Sequence, residues 1–151
     1  MAYVSLDSDQ IKKAHKKHKY TKEQVEQLEK CMDEKTGPLF FMKSFMKIQH
    51  PTKGEMPFQP FPYQERLIKA YNNHRFSISM LPRQTGKTTC ASGYLIWYAM
   101  FRPDSQILIA AHKYAGASDI MSRVRYAYEM LPSWIKAGVT QYNRNSIEFD
   151  N

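Results

Sequence analysis

Cysteine is nearly absent. Cys31 and Cys90 are the two in a chain of 151 residues, and they stand far apart with no metal-ligand spacing. A disulfide framework is excluded, and a reducing compartment is the simplest setting. Long hydrophobic runs are missing as well. The longest, Cys90 to Phe101, has twelve residues and contains Ser92 and Gly93. A bilayer-spanning helix needs about 20. The first residues, Met1-Ala-Tyr-Val-Ser-Leu-Asp7, supply neither a basic stretch nor an apolar one, so no signal peptide is expected. No repeat or low-complexity tract is present, and 42% hydrophobic with 13% aromatic residues is too much apolar material for a disordered chain. The length suits one domain.

Acid is the scarcer charge. Lys and Arg number 22 against 14 Asp and Glu, a net charge of +8 that favours an anionic partner without naming it. The excess is uneven. Residues 1–36 hold eight basic and seven acidic residues, a net of +1, and residues 37–151 hold fourteen and seven, a net of +7. The run Lys12-Lys13-Ala-His-Lys16-Lys17-His-Lys19 is therefore offset by Asp7, Asp9, Glu23, Glu26 and Glu29, and reads first as the solvated face of a helix.

Two helices are expected early, over 8–18 and 21–32. The second begins on a capping box, Thr21 with Gln24, and repeats Val25, Leu28 and Met32 at helical spacing. Residues 39–47 are apolar at most positions and belong on the core as helix or strand. Gln49 to Pro62, with four prolines and Gly54, predicts an irregular hairpin. A short helix follows over 63–71. Then the order becomes strand (75–80), loop (81–86), helix (87–101), strand (105–111) and helix (114–130), closed by a strand pair over 139–142 and 146–149. Strand–helix alternation predicts an α/β domain with a parallel sheet and right-handed crossovers.

The loop carries the strongest chemical signal: Leu81-Pro-Arg83-Gln84-Thr85-Gly86-Lys87-Thr88-Thr89. Between an apolar strand and a helix, such a loop binds phosphate. Gly86 allows close approach of the backbone, and the first helical amides point at the anion. Lys87 brings a point charge to the β and γ phosphates, and the Thr88 hydroxyl suits Mg²⁺. The strict pattern has glycine where Leu81 stands, so this is a variant. Arg83 is either a cation for transition-state charge or a structural arginine holding the loop's carbonyls. Tyr63-Gln64 precedes Gly86 by 22 residues. A glutamine amide matches the N6 and N7 edge of adenine, and Tyr63 or Phe61 can cover the ring. His112 and Lys113 follow the second strand, where ligands gather in parallel sheets. No Ser-His-Asp, Cys-His or paired-carboxylate arrangement stands out.

Together, Tyr63-Gln64, the loop Arg83-Gln-Thr-Gly86-Lys87-Thr88-Thr89 and Ile109-Ala-Ala-His112-Lys113 resemble the large terminase subunit of tailed phages, in its contractile-tailed myovirus form. The resemblance continues through Leu131-Pro-Ser-Trp134 and Ser146-Ile-Glu-Phe-Asp150-Asn151. It implies a P-loop NTPase (RecA/helicase-like) domain with a parallel sheet core. Residues 1–36 form a helical, charged N-terminal segment and 37–151 the first part of the ATPase domain. It further implies ATP and Mg²⁺ as cofactors, with Gln64 on adenine and Arg83 sensing the γ phosphate. Lys87 binds phosphate, Thr88 supports Mg²⁺, and Tyr63, Gln84, Thr85, Gly86 and Thr89 complete the nucleotide site. Arg83 and Lys87 are the catalytic candidates. Implied partners are double-stranded DNA, the portal protein of the prohead and the small terminase subunit, in a ring of identical subunits in the host cytoplasm, away from membranes.

The family's apolar strand ending in Asp-Glu, its coupling motif and its nuclease domain have no match here. The chain therefore reads as an N-terminal fragment of that motor, inactive by itself. Two alternatives stay open: a superfamily-2 helicase fragment, and a basic nucleic-acid-binding module without catalysis. Arg83 inside the loop favours the terminase.

Overall fold

The structure, a computed structural model, describes residues 10–50, 52 and 54–151. Helix α1 (Lys22–Met32) begins where the capping box places it: the Gln24 amide donates to Thr21 Oγ1 at 3.3 Å, and the Thr21 amide donates to Gln24 Oε1 at 3.1 Å. Helix α2 (Gly37–Phe45) resolves the helix-or-strand ambiguity of the apolar stretch, with Pro38 in its first turn where no amide is needed. Strands β1 (Lys47–His50) and β2 (Gly54–Pro57) form the expected hairpin, antiparallel with Lys47 opposite Pro57. Pro51 and Lys53 of that expected hairpin lie outside the described residues. Helices α3 (Pro62–Asn73), α4 (Lys87–Phe101) and α5 (Tyr114–Glu129) follow. Strands β3 (Val139–Tyr142) and β4 (Ile147–Phe149) then pair antiparallel, around a bulge between Val139 and Gln141.

Helix α4 is the central element and packs against α2, α3 and α5. Apolar nearly all round, it buries Cys90, Ile96, Trp97 and Met100. Trp97 is fully buried, and its indole Nε1 donates to the Cys31 carbonyl at 2.8 Å, tying α4 to the last turn of α1. Gly37 sits against the same carbonyl, where a Cβ would come within 2.3 Å of Cys31 O. Phe41, Met42 and Ile68 belong to the same core, as do Tyr128 of α5 and Ile135 and Val139 beyond it.

Two expectations need correction. The helix over 8–18 does not form among its described residues, 10–18; Asp7, Asp9 and the rest of 1–9 lie outside them. Ile11 and Ala14 are its only apolar side chains after residue 9, too few for a packing stripe. Lys12 with Lys16 and Lys13 with Lys17 would also repel at the i, i+4 spacing. The segment instead lies against β3. Lys13 bridges Val139 in parallel, and the Val139 amide donates to Lys12 O at 2.9 Å. Buried Lys136 spans the junction, its Nζ donating to Gln10 O at 2.7 Å and to Glu129 O at 2.8 Å. Burial lowers its pKa, and the cation sits over the Tyr128 ring, 5.5 Å from the centroid.

The second correction concerns the sheet. The strands among the described residues make two small antiparallel pairs, giving a mixed α/β fold with five helices, and no parallel sheet joins 75–80 to 105–111. Both segments run without helix or ladder. A strand exists through its neighbour's hydrogen bonds, and neither segment has such a neighbour here. Four of their apolar side chains face solvent instead: Phe76, Ile78 and Met80 are 81%, 96% and 93% exposed, and Leu108 is 92% exposed, while Ile109 is half-buried against the core.

Candidate functional site

The loop before α4 is shaped by one glycine. Gly86 is the residue preceding the first helical turn, with φ +73° and ψ 15°, in the left-handed region that favours glycine. Its carbonyl accepts the first helical bond, from the Cys90 amide at 2.9 Å. Gln84 also has a positive φ, +63°, which costs a non-glycine residue about 1–3 kcal/mol. The first turn of α4 carries no acidic residue and no side-chain cap. Its leading amides therefore remain without intrahelical partners, at the positive end of the helix dipole.

The loop is also closed on itself. Lys87 Nζ donates to the Pro82 carbonyl at 3.1 Å, and Thr85 Oγ1 donates to the same oxygen at 3.0 Å. Arg83 is exposed and makes no hydrogen bond or ion pair among the described residues. Holding the loop's carbonyl thus falls to Lys87, not to Arg83. Thr88 and Thr89 follow on the first turn, both half-buried.

Sequence reasoning placed Tyr63 and Gln64 near this loop, and the structure brings them to it. Gln64 is 6% exposed. Its Oε1 accepts from the Phe61 amide at 2.9 Å, which caps the start of α3, while its Nε2 donates to the Thr85 carbonyl at 3.0 Å. The Tyr63 hydroxyl donates to the same carbonyl at 2.8 Å. Two side chains of α3 therefore clamp one loop carbonyl, a role the sequence did not disclose. The available signal was Pro62 and Gln64 at the first and third helical positions, which marks a helix start. Phe61 and Tyr63 stack with centroids 5.9 Å apart and ring planes 6° apart, and Phe61 is largely exposed. His112 and Lys113 stand exposed at the start of α5, with no side-chain hydrogen bond to the loop.

Both cysteines are buried. Burial pushes the Cys31 thiol up to about 12 and the Cys90 thiol, in the first turn of α4, up to about 11. Neither is a nucleophile near neutral pH. Among the described residues, no group of three His, Cys, Asp or Glu side chains is placed to hold a metal ion, and no helix is long and apolar enough to cross a membrane.

Residues 78–151 match the model of the family described as terminase large subunit, T4likevirus-type, N-terminal. That span contains the loop, α4, α5 and the β3–β4 pair. The match supports a role in phage DNA packaging.

Proposed function

We propose that this chain is the nucleotide-binding part of a large terminase subunit, holding ATP by its phosphates at the N-terminus of α4. The observation that carries the reading is Gly86 in a left-handed conformation, followed at once by the open first-turn amides of α4 and by Lys87. That combination attracts a phosphate through backbone donors, helix dipole and a fixed cation together. On binding, Lys87 exchanges the Pro82 carbonyl for phosphate oxygens, a stronger, charge-assisted contact. Arg83, unpaired and exposed beside the loop, supplies the second cation that senses the γ phosphate. Gln64 clamps the loop and retains a second amide hydrogen and a second lone pair for the adenine edge.

The Mg²⁺ ion fits in part. Thr88 presents a hydroxyl on the first turn, while no carboxylate is on that turn to join it. Mg²⁺ usually takes few protein ligands and the rest from phosphates and water. When bound it neutralises phosphate charge. In the packaging motor this site couples ATP hydrolysis to movement of double-stranded DNA into the prohead, in a ring docked on the portal with the small subunit. The family match favours this over the helicase reading.

Titration of the chain with a fluorescent ATP analogue tests the proposal. Lys87→Ala is expected to weaken binding roughly 10- to 100-fold, the worth of a hydrogen bond to a charged group. Equal affinity in the wild type and in Lys87→Ala would overturn it.

A further inference from the structure

A second site lies on the opposite flank of α4. An open cleft of about 1230 Å³ runs between β1, α4, α5 and the end of β3. Thr89 and Ser92 line it, whereas Gly86, Lys87 and Gln64 do not, so it shares only Thr89 with the residues expected at the nucleotide. Four cations border it: Lys47, Arg123, Arg125 and Arg144. Lys47 is paired with Glu55 and Arg123 with Asp119. The other two have no ion pair among the described residues. Arg125 gives one hydrogen bond, from Nη2 to Ser122 Oγ at 3.2 Å, and its buried Nε has no partner. Arg144 gives none; it stands on the turn between β3 and β4, which the Tyr114 hydroxyl holds to α5 by donating to Asn145 Oδ1 at 2.9 Å. Ser92 is 1% exposed, and its hydroxyl has no hydrogen-bond partner.

We propose that this cleft binds the phosphate backbone of nucleic acid, with Arg125 and Arg144 as its principal contacts. An arginine presents five donors in a fixed fork, and the buried Nε of Arg125 has no partner, so a di-oxygen anion is its natural complement. The volume exceeds the roughly 300–1,000 Å³ of small-molecule pockets. Arginine beside serine, threonine, asparagine and tyrosine is the residue set that contacts phosphate and sugar, and the two carboxylates in the lining are already engaged, Asp119 by Arg123 and Glu129 by the Tyr142 hydroxyl. The inference rests on the DNA-packaging reading for the identity of the polyanion. It does not rest on ATP binding at the loop.

The test is fluorescence anisotropy of a short labelled duplex with the full 151-residue chain over a range of salt. Arg125→Gln/Arg144→Gln is compared with Arg66→Gln/Lys35→Gln, an equal charge change at exposed positions outside the cleft. The cleft pair is expected to weaken binding roughly 10-fold or more and to lower the salt slope by about 2, with the control pair near wild type. Arg144→Gln alone, on an exposed turn, keeps the fold and is expected to lower the slope by about 1. If the cleft variants behave like the control pair, the cleft assignment is overturned. If wild type binds no duplex, the DNA reading falls with it. A parallel titration with the ATP analogue separates these outcomes, because a failed loop removes nucleotide binding and leaves the cleft comparison intact.

Discussion

Replacing Gly86 with alanine tests the geometry of the loop most directly. Two independent costs follow from the structure. An L-residue in the left-handed region costs about 1–2 kcal/mol, and Gly86 has φ +73°. The added Cβ would also come within 2.6 Å of Gln64 Nε2. Relief requires Gln64 to withdraw, which breaks its 3.0 Å bond to the Thr85 carbonyl. That bond is worth about 0.5–1.5 kcal/mol net. The sum is about 1.5–3.5 kcal/mol, and at about 2–4 °C per kcal/mol for a domain of this size the Tm falls by roughly 3–14 °C. Thermal unfolding followed by circular dichroism reads it. The two costs separate in a cycle with Gln64→Ala. In that background the steric part vanishes and the backbone part stays, so Gly86→Ala should cost about 1–2 kcal/mol. A Gly86→Ala protein that melts with the wild type would refute both the left-handed conformation and the contact with Gln64.

Further outcomes follow from the same structure. In the assembled large subunit, Arg83→Ala is expected to retain most ATP affinity and to lose turnover, since a charge that acts mainly in the transition state lowers kcat; single-turnover hydrolysis against binding titration checks this. Cys31 and Cys90 are expected to resist alkylation in the native chain and to react fully once unfolded, as counted by mass spectrometry. Stability is expected to fall as pH rises above about 9, where the unfolded chain begins to lose the thiol protons of Cys31 and Cys90 that burial retains in the fold, and to fall further above about 10 as the tyrosines follow. Burial holds the Tyr128 and Tyr142 hydroxyls protonated in the fold, with the Glu129 carboxylate adding to the effect at Tyr142. The unfolded chain then loses those protons first, while the lowered pKa of Lys136 acts in the opposite sense on approach to 10.5. Denaturant midpoints across the alkaline range should show a net decline, made shallower by Tyr142→Phe.

The parts legible in the sequence are those decided locally. Thr21 and Gln24 fix the start of α1 within four residues of chain, and Arg102-Pro-Asp after the apolar run ends α4 at Phe101. Gly86 stood out because it precedes Lys87 and Thr88 at a helix start, where a residue without Cβ lets the backbone approach a phosphate. The parts that were not legible depend on distant partners. Residues 10–15 take their conformation from Val139, Lys136 and Tyr128, more than 110 positions away. The same holds for Asp150, whose carboxylate accepts from the His15 amide at 2.6 Å. Apolar 75–80 and 105–111 have the composition of strands, but composition supplies no ladder partner. For Gln64 the amide chemistry was visible, while its use as a clamp on Thr85 required α3 to lie beside the loop.

Helix α4 brings these features into one mechanical unit. Its N-terminus is tied to α3 through Gln64, Tyr63 and the Thr85 carbonyl. Toward its other end, Trp97 is hydrogen-bonded to the Cys31 carbonyl of α1, and Arg102 lies over the Trp97 ring while pairing with Glu34. A helix held at both ends does not slide along its axis without breaking buried hydrogen bonds, each costly once its partner is lost. Phosphates at Gly86-Lys87 and a backbone in the cleft lined by Thr89 and Ser92 would then lie on one rigid element, less than two turns apart. Their mutual influence is electrostatic repulsion between anions across α4, and it weakens with salt. Coupling by helix displacement would instead require the Trp97 or Gln64 tie to open. Trp97→Phe, which deletes the indole donor and keeps most of the ring, distinguishes the two. Under the electrostatic account the salt-dependent effect of ATP on duplex affinity survives this change, and under the displacement account it is altered.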